Sequence, residues 1–298
     1  MMKQLLVLSG KGGTGKTTIA SALIKLSNAK AYCDCDVDAP NLHLIMKQQS
    51  KPQIIDFYGL PKAYIDTEKC VKCDQCRRYC RFDAIEFDTD YKINPYSCEG
   101  CGLCALVCPN QAITMVPNVD GVKKLYIDEH TFTTAQLQMG SGVSGLLVTD
   151  LKKLLKSAAS DAPFAIVDGS PGIGCPVIAS LNDVDMVLIV TEPSLSGISD
   201  MKRIIKTAQY FQTKIVVCVN KYDINELNSN VIEKYCLDNN IMFVGRIPYD
   251  SNIPTALNKG ESILDHEGLT KEAIINVYNK TMHVFMQKAG DDQCLSKH

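Results

Sequence analysis

The chain has 298 residues, of which 46% are hydrophobic, and its 31 basic and 33 acidic residues leave a net charge of -2. This length allows a large core in one or two domains, and the balanced charge does not favour binding to nucleic acid or an anionic bilayer. Apolar runs fall short of the roughly 20 residues needed to cross a membrane, and the N-terminus lacks a cleavable signal pattern. We therefore expect a cytoplasmic protein.

Short apolar runs along the chain predict strands buried on both faces, over residues 4–9, 31–35, 164–168, 186–191, 215–220 and 242–247. Helical spacing of apolar residues follows in segments after residue 18 and over residues 146–155, 198–211 and 231–237. Strands that alternate with helices predict an α/β fold, a parallel sheet flanked by helices. Residues 270–290 predict a final helix that packs on the sheet and does not bind a membrane, because it carries few lysines.

Residues 62–115 interrupt this alternation, since cysteine, charge and turn residues dominate them. We interpret them as an inserted domain, which divides the α/β domain into residues 1–61 and 116–298. Residues 140–145, GSGVSG, predict a flexible connection before the next helix, and the last residues, 289–298, predict a frayed tail.

Residues 10–18, GKGGTGKTT, match the phosphate-loop pattern between a predicted strand and a predicted helix. The candidate nucleotide-binding residues are Gly10, Lys11, Gly12, Gly13, Thr14, Gly15, Lys16, Thr17 and Thr18. Backbone N–H groups of such a loop face phosphate oxygens at a helix N-terminus. Lys16 is expected on the β- and γ-phosphates and the Thr17 hydroxyl on Mg²⁺.

The loop carries a second lysine, Lys11, and in this it resembles the deviant Walker A motif of the MinD/ParA family, which includes the nitrogenase iron protein and is related to the Mrp-type ATPases. The resemblance implies an ATPase that closes as a homodimer around ATP, with slow, Mg²⁺-dependent hydrolysis. It also implies that Lys11 is catalytic in trans, reaching the partner's phosphates as an arginine finger would. A solvated loop lysine is the alternative.

The same resemblance implies roles for polar residues that follow predicted strands. Asp36 is expected to position the attacking water, with Lys11 and Lys16 as the other catalytic residues, and Thr17, Asp36 and Asp168 are expected at the magnesium ion. Asp34 and Asp38 are weaker candidates, because carboxylates at strand ends are also ordinary caps. Asn220, Lys221 and Pro248 resemble segments that recognise adenine. The Asn-Lys-x-Asp run also fits guanine, but the deviant loop favours ATP/ADP.

Fourteen cysteines in a reducing compartment indicate metal ligation or redox chemistry, and eight of them lie between Cys70 and Cys108. They form two C-x2-C-x2-C-x3-C runs, the spacing of bacterial ferredoxins, in which the fourth cysteine of each run ligates the other cluster. The pattern therefore predicts two 4Fe-4S clusters. The first cysteine set is Cys70, Cys73, Cys76 and Cys108; the second cysteine set is Cys98, Cys101, Cys104 and Cys80.

Zinc is the alternative occupant, although zinc sites usually separate their cysteine pairs by a longer spacer. Arg81 stands where the second run has Pro109, a departure that leaves the ligands intact. Cys33 and Cys35 are expected to be buried thiols, and Cys218, Cys236 and Cys294 packing or tail residues. Cys175 loosely resembles the cluster-binding cysteine of the nitrogenase iron protein.

Together the two halves resemble P-loop ATPases of the MinD superfamily that contain an inserted ferredoxin-like domain. The resemblance implies ATP-gated electron transfer or metallocluster assembly on a redox protein partner. One alternative is a positioning ATPase of the MinD/ParA type with a structural or sensing insert, and another is a scaffold that donates whole clusters.

Overall fold

Nine strands form the central sheet of the computed structural model, which describes residues 2–287. They are β1 (Lys3–Leu8), β2 (Ala31–Asp34), β3 (Gln53–Tyr58), β8 (Val119–Ile127), β9 (Thr131–Leu137), β10 (Phe164–Asp168), β11 (Met186–Thr191), β12 (Lys214–Asn220) and β13 (Met242–Ile247). Their order across the sheet is β13-β12-β11-β1-β10-β2-β9-β8-β3. The six predicted strands are all present. Strands β3, β8 and β9 were not predicted from the sequence.

The sheet is parallel from β13 to β9 and antiparallel at its other edge, where β8 pairs with β9 and β3 pairs with β8. The predicted parallel sheet is confirmed from β13 to β9, and the antiparallel edge was not predicted. The physical reason is the short turn at residues 128–130, where Asp128 N donates to His130 O over 3.1 Å. A turn this tight returns the chain beside β8 without a crossover helix.

Helices cover both faces of the sheet, as the alternation of elements predicts. They are α1 (Lys16–Ser27), α2 (Leu42–Ile45), α5 (Ser144–Ala158), α6 (Cys175–Leu181), α7 (Leu195–Tyr210), α8 (Glu226–Asp238), α9 (Ile253–Asn258) and α10 (Leu269–Met286). One core lies under α1 and α10, with Leu23 and Val277 buried, and the other lies under α5 and α7, with Leu151 and Met201 buried.

The final helix, α10, packs on β13 and α1, as expected. Among the helices of residues 2–287, none combines the length and apolar character needed to span a bilayer. The expected tail at residues 289–298, including Cys294, lies outside the described residues.

The insert leaves the sheet between β3 and β8. It contains β4 (Lys62–Ile65), α3 (Gln75–Tyr79), β5 (Ile85–Phe87), β6 (Tyr91–Ile93), α4 (Leu103–Leu106) and β7 (Ile113–Val116). Strands β4 and β7 pair antiparallel, with Lys62 opposite Val116, so both ends of the insert meet. Its core includes Ile65, Ile85 and the buried thiols Cys76 and Cys98. The division at residues 62 and 115 stays a prediction.

Candidate functional site

The glycine-rich loop spans residues 9–15, between the end of β1 and the start of α1. Gly15 has φ 86°, and a Cβ there would lie 2.3 Å from the Asn220 side-chain nitrogen. That nitrogen, Nδ2, donates to Thr14 O over 2.7 Å. Glycine is therefore required where β12 holds the loop, both for the backbone conformation and for the close approach.

Lys16, the first residue of α1, points to the carboxyl end of β10. Its Nζ lies 2.6 Å from Asp168 Oδ1 and 3.2 Å from the Thr17 hydroxyl, and the Lys16 and Asp168 side chains are 6% and 0% exposed. The other oxygen, Asp168 Oδ2, is buried without a hydrogen-bond partner among the described residues. A free carboxylate oxygen near a threonine hydroxyl fits a magnesium ion, which prefers oxygen ligands.

The three aspartates that follow β2 occupy different environments. Asp34 is buried and accepts the backbone N–H groups of Asp36, Asn41 and Leu42 at 3.0–3.1 Å. Burial, and then the charge of Asp168, raise the pKa of Asp34 to about 7. Asp34 therefore shapes the loop that presents Asp36.

Asp36 is half-buried and lines a cavity over the glycine-rich loop, whereas Asp38 is exposed. Burial raises the pKa of Asp36, and the Lys16 ammonium opposes this rise. The structure thus places Asp36, the favoured candidate of the three, beside the loop.

Lys11 lies on the opposite side of the loop and is held by Glu192, at the end of β11. Lys11 Nζ lies 3.0 Å from Glu192 Oε2, and Lys221 Nζ lies 2.6 Å from Glu192 Oε1. Lys221 also donates to Gly13 O over 2.9 Å. Burial disfavours the ionised form of Glu192, but the two lysines outweigh this effect and lower its pKa. One carboxylate therefore connects the loop lysine to the β12 lysine.

A cavity of about 450 Å³ opens over the loop. Most of the predicted nucleotide residues line it, namely Lys11, Gly12, Gly13, Thr14, Gly15, Lys16, Thr17, Thr18, Asn220, Lys221 and Pro248. Gly10 does not line the cavity. A Cβ at this position would lie 2.2 Å from Asp200 Cβ in α7. Its role is therefore close packing of the loop on α7.

The far end of the cavity is apolar, and sequence reasoning missed most of it. The additional lining residues include Tyr249, Ile253, Pro254, Leu257 and Ile274. The apolar residues of α9 and α10 have the spacing of helices that pack on a core, so they gave no sign of a binding site. The only sequence signal for them was that they follow Pro248 in the chain. Glu192 was also missed, although its place at the carboxyl end of a parallel strand, where ligands bind in α/β sheets, was a usable signal.

The eight clustered cysteines divide between two cavities in the insert. Cys70, Cys73, Cys76 and Cys108 line one, and Cys80, Cys98, Cys101 and Cys104 line the other. These are the first and second cysteine sets, with the fourth cysteine of each run crossed to the other cavity. In the first cavity, Ala112 N donates to Cys108 Sγ over 3.2 Å.

Within residues 2–287, the structure shows no group of three or more Cys, His, Asp or Glu side chains arranged around one metal ion. The eight cysteines are therefore described by the cavities that they line.

The remaining cysteines differ in exposure. Cys33 and Cys35 are fully buried with their sulfurs 3.4 Å apart, and Cys218 and Cys236 are also buried. Cys175 is exposed at the first position of α6. The burial of the first four agrees with packing roles.

A glycine-rich loop between a buried strand and a helix, whose lysine pairs with a carboxylate at the end of a neighbouring parallel strand, defines a P-loop nucleotide-binding protein. The family model CbiA, described as the CobQ/CobB/MinD/ParA nucleotide binding domain, matches residues 5–263. The chain belongs to this family.

Relatives match nearly the whole chain or a short part of it. The uncharacterized protein MJ0578 of Methanocaldococcus jannaschii is 31% identical over 287 residues, which cover 94% of this chain and 96% of that protein. Pyruvate synthase subunit PorD of Methanothermobacter marburgensis is 41% identical over 54 residues, 18% of this chain and 64% of that subunit. The crystal structure of the Pyrococcus furiosus cell division ATPase MinD has a TM-score of 0.58 at 16% identity, covering 95% of this chain and all of that chain. This last likeness shows the fold.

Proposed function

We propose that the protein is an Mg²⁺-dependent ATPase with two 4Fe-4S clusters, in which ATP binding and hydrolysis gate electron transfer to, or metallocluster assembly on, a redox protein partner. The observation that carries this proposal is the sorting of eight cysteines, four to each of two cavities, in a chain that also holds a P-loop cavity. Bound clusters would supply one-electron chemistry.

The nucleotide half of the proposal rests on charge and shape. Lys16 and the loop N–H groups offer positive potential for phosphates, and the apolar end near Ile253 suits a purine base. Asp36 would orient the attacking water. Asp168 and Thr17 would hold the magnesium ion, and Lys16 would neutralise charge on the phosphates.

The trans role of Lys11 is part of the proposal. Lys11 is 37% exposed in its side chain and lies at the rim of the loop, so a second copy of the chain can approach it. A homodimer closed on ATP would let each Lys11 reach the partner's phosphates.

The cluster half rests on the donor sets and on the short similarity to PorD. Cysteine thiolates are the usual ligands of 4Fe-4S clusters, and each cavity offers four.

The test begins with iron and sulfide analysis of anaerobically purified protein, followed by a redox titration with and without Mg-ATP. We expect a brown protein with iron and sulfide in equal amounts, and midpoint potentials or transfer rates that change when ATP is added. A colourless protein that contains zinc would refute the cluster half. Midpoint potentials and electron-transfer rates that do not change when ATP is added would refute the gating of the clusters by ATP.

A positioning ATPase is the second candidate, favoured by the fold shared with the cell division ATPase MinD. Such a protein would keep its ATP-dependent distribution in cells after the clusters are removed. The gated carrier would lose its function in the same experiment, so cluster-free variants separate the two.

A further inference from the structure

Residues 137–145, here called the connecting segment, run from the end of β9 to the start of α5. Asp120, buried at the start of β8, anchors the segment: Gln138 N donates to Asp120 O over 2.7 Å, and the Ser141 hydroxyl donates to Asp120 Oδ1 over 3.1 Å. Gly140 has φ 82° inside the turn that follows. The segment is thus fixed at one end and turns sharply before α5.

The first residue of the connecting segment contacts the loop that presents Asp36. Leu137 N donates to Val37 O over 2.9 Å, and Val37 directly follows Asp36 in the chain. Because Asp36 lines the nucleotide cavity, a movement of its loop on nucleotide binding would reach Leu137 through this hydrogen bond.

Gly145, the last residue of the connecting segment, lies in α5 and contacts the start of α6. A Cβ on Gly145 would lie 3.3 Å from Cys175 O and 3.4 Å from Cys175 Cβ. The chain preceding Cys175 includes Pro171, which lines the nucleotide cavity. The segment therefore contacts the loop after β2 directly, at Val37, and meets the loop after β10 through Cys175, the first residue of α6.

The middle of the segment contacts the loop that carries Cys98. A Cβ on Gly140 would lie 3.4 Å from the Tyr96 ring, and one on Gly142 would lie 3.6 Å from Glu99 Oε2. Tyr96 and Glu99 flank Cys98, a member of the second cysteine set. The segment thus lies against two side chains of the loop that carries Cys98.

The first cysteine set has different surroundings. Asp66 N donates to Ala112 O, and Lys72 bonds to Thr89 O and Asp90, all within the insert. Helix α3, which contains Cys76, packs on β5 and on α4, the helix that contains Cys104 of the second set. The first set therefore contacts the second set within the insert, and the loop that carries Cys98 contacts the connecting segment.

We propose that the connecting segment carries the nucleotide state of the phosphate loop to the second cysteine set, through the loop that carries Cys98, and more weakly to the first set. This inference rests on the proposed function, since it needs a nucleotide and clusters in one chain. The loops after β2 and β10 line the nucleotide cavity and are linked to the connecting segment, which is anchored at Asp120. The connecting segment in turn contacts the loop that carries Cys98, so a change of nucleotide state can alter the conformation of that loop.

The test is hydrogen exchange followed by mass spectrometry, on protein that retains its iron and sulfide, with and without Mg²⁺ and a non-hydrolysable ATP analogue. We expect slower exchange in residues 10–18, together with a change of about fivefold or more in residues 137–145 and 94–101. Residues 66–76 should change less than residues 94–101.

In Tyr96→Ala, the ATP analogue should no longer change the hydrogen exchange of residues 94–101, because the ring that contacts Gly140 is removed. The slower exchange of residues 10–18 should remain. Tyr96 is 76% exposed, so its removal leaves the core intact. Tyr79→Ala, which removes a similarly exposed tyrosine from α3, is the matched control and should keep the whole response. Gly145→Ala, which crowds Cys175 without touching the insert, should alter the response of residues 94–101 as well.

The outcomes separate the two proposals. Protection of residues 10–18 with no change in 94–101, or with the change in 66–76 instead, overturns the inference and leaves the proposed nucleotide function standing. An unchanged response in both Tyr96→Ala and Gly145→Ala also overturns it. Absence of protection in residues 10–18 overturns the proposed nucleotide binding, and the inference with it.

Discussion

Lys11 and Glu192 form an ion pair within one chain, with Nζ and Oε2 3.0 Å apart. In the proposed dimer, Lys11 must reach the partner's phosphates, so this pair has to open before turnover. Because the pair is partly exposed, it contributes only about 0.2–1 kcal/mol. Glu192 therefore acts as a weak restraint that keeps Lys11 on its own subunit.

Glu192→Gln should lower the protein concentration needed for half-maximal ATP hydrolysis by about 1.5-fold to fivefold, because it frees Lys11 from this restraint. ATP turnover measured across a range of protein concentrations checks this. Lys221→Gln is the control, since it leaves Glu192 paired with Lys11 and should not lower that concentration. If Glu192→Gln needs the same or a higher protein concentration for half-maximal ATP hydrolysis, Glu192 does not restrain Lys11.

The same ion pair should respond to salt more than to pH. The pKa of Glu192 is lowered by its two lysines, so the carboxylate stays ionised above about pH 4.5, its usual value, and the pair weakens only below that. Between pH 6 and 8 we therefore expect a constant half-maximal protein concentration at fixed ionic strength. Raising the salt concentration should reduce the difference in half-maximal protein concentration between the wild type and Glu192→Gln, because ions screen the Lys11–Glu192 pair. A difference that persists at high salt contradicts an electrostatic restraint.

Lys11→Ala should keep nucleotide binding but lose ATP-dependent dimerisation and turnover, because in the proposed site Lys16 would still contact the phosphates within one chain. Calorimetry measures the binding, and analytical ultracentrifugation with a non-hydrolysable ATP analogue measures the dimer. Normal hydrolysis by this variant would show that Lys11 is a solvated loop lysine.

Lys16→Ala should lose nucleotide binding and also stability. Its removal leaves the fully buried Asp168 carboxylate unpaired, which costs about 3–5 kcal/mol of the free energy of unfolding. Calorimetric binding and denaturant unfolding measure the two effects. Thr17→Val is the companion variant, because it removes a hydroxyl and keeps the Lys16–Asp168 pair. It should weaken Mg²⁺-dependent binding with little loss of stability, and unchanged binding in Thr17→Val would contradict the proposed magnesium site.

The sequence predicted the parts of the molecule that depend on local pattern. Continuous apolar runs identified β1 and β10, and the glycine spacing identified the loop, because each signal lies within a few residues. Strand β3 was missed because it is an edge strand: Ile54 and Tyr58 are 68% and 59% exposed, so it lacks a buried apolar run.

The contacts between residues far apart in the chain could not be predicted, even where the position of a residue at a strand end was a signal. Glu192 meets Lys11 and Lys221 only after β1, β11 and β12 assemble side by side, and no spacing in the chain records that meeting. Residues 140–145 of the connecting segment were predicted to be a flexible connection, since glycine and serine dominate them. The segment's hydrogen bonds to Asp120 and Val37 depend on the unpredicted strands β8 and β9.

The crossed assignment of the cysteines leads to a test with paired substitutions. Cys73 and Cys108 line one cavity, whereas Cys80 lines the other. If each cavity holds one cluster, Cys73→Ala with Cys108→Ala damages a single cluster and should retain about half of the iron. Cys73→Ala with Cys80→Ala damages both clusters and should lose nearly all of it. Cys101→Ser should reduce the visible absorbance and leave ATP binding intact, because the P-loop core is separate. Iron analysis that gives the reverse order for the two pairs would show that each run of cysteines binds its own cluster.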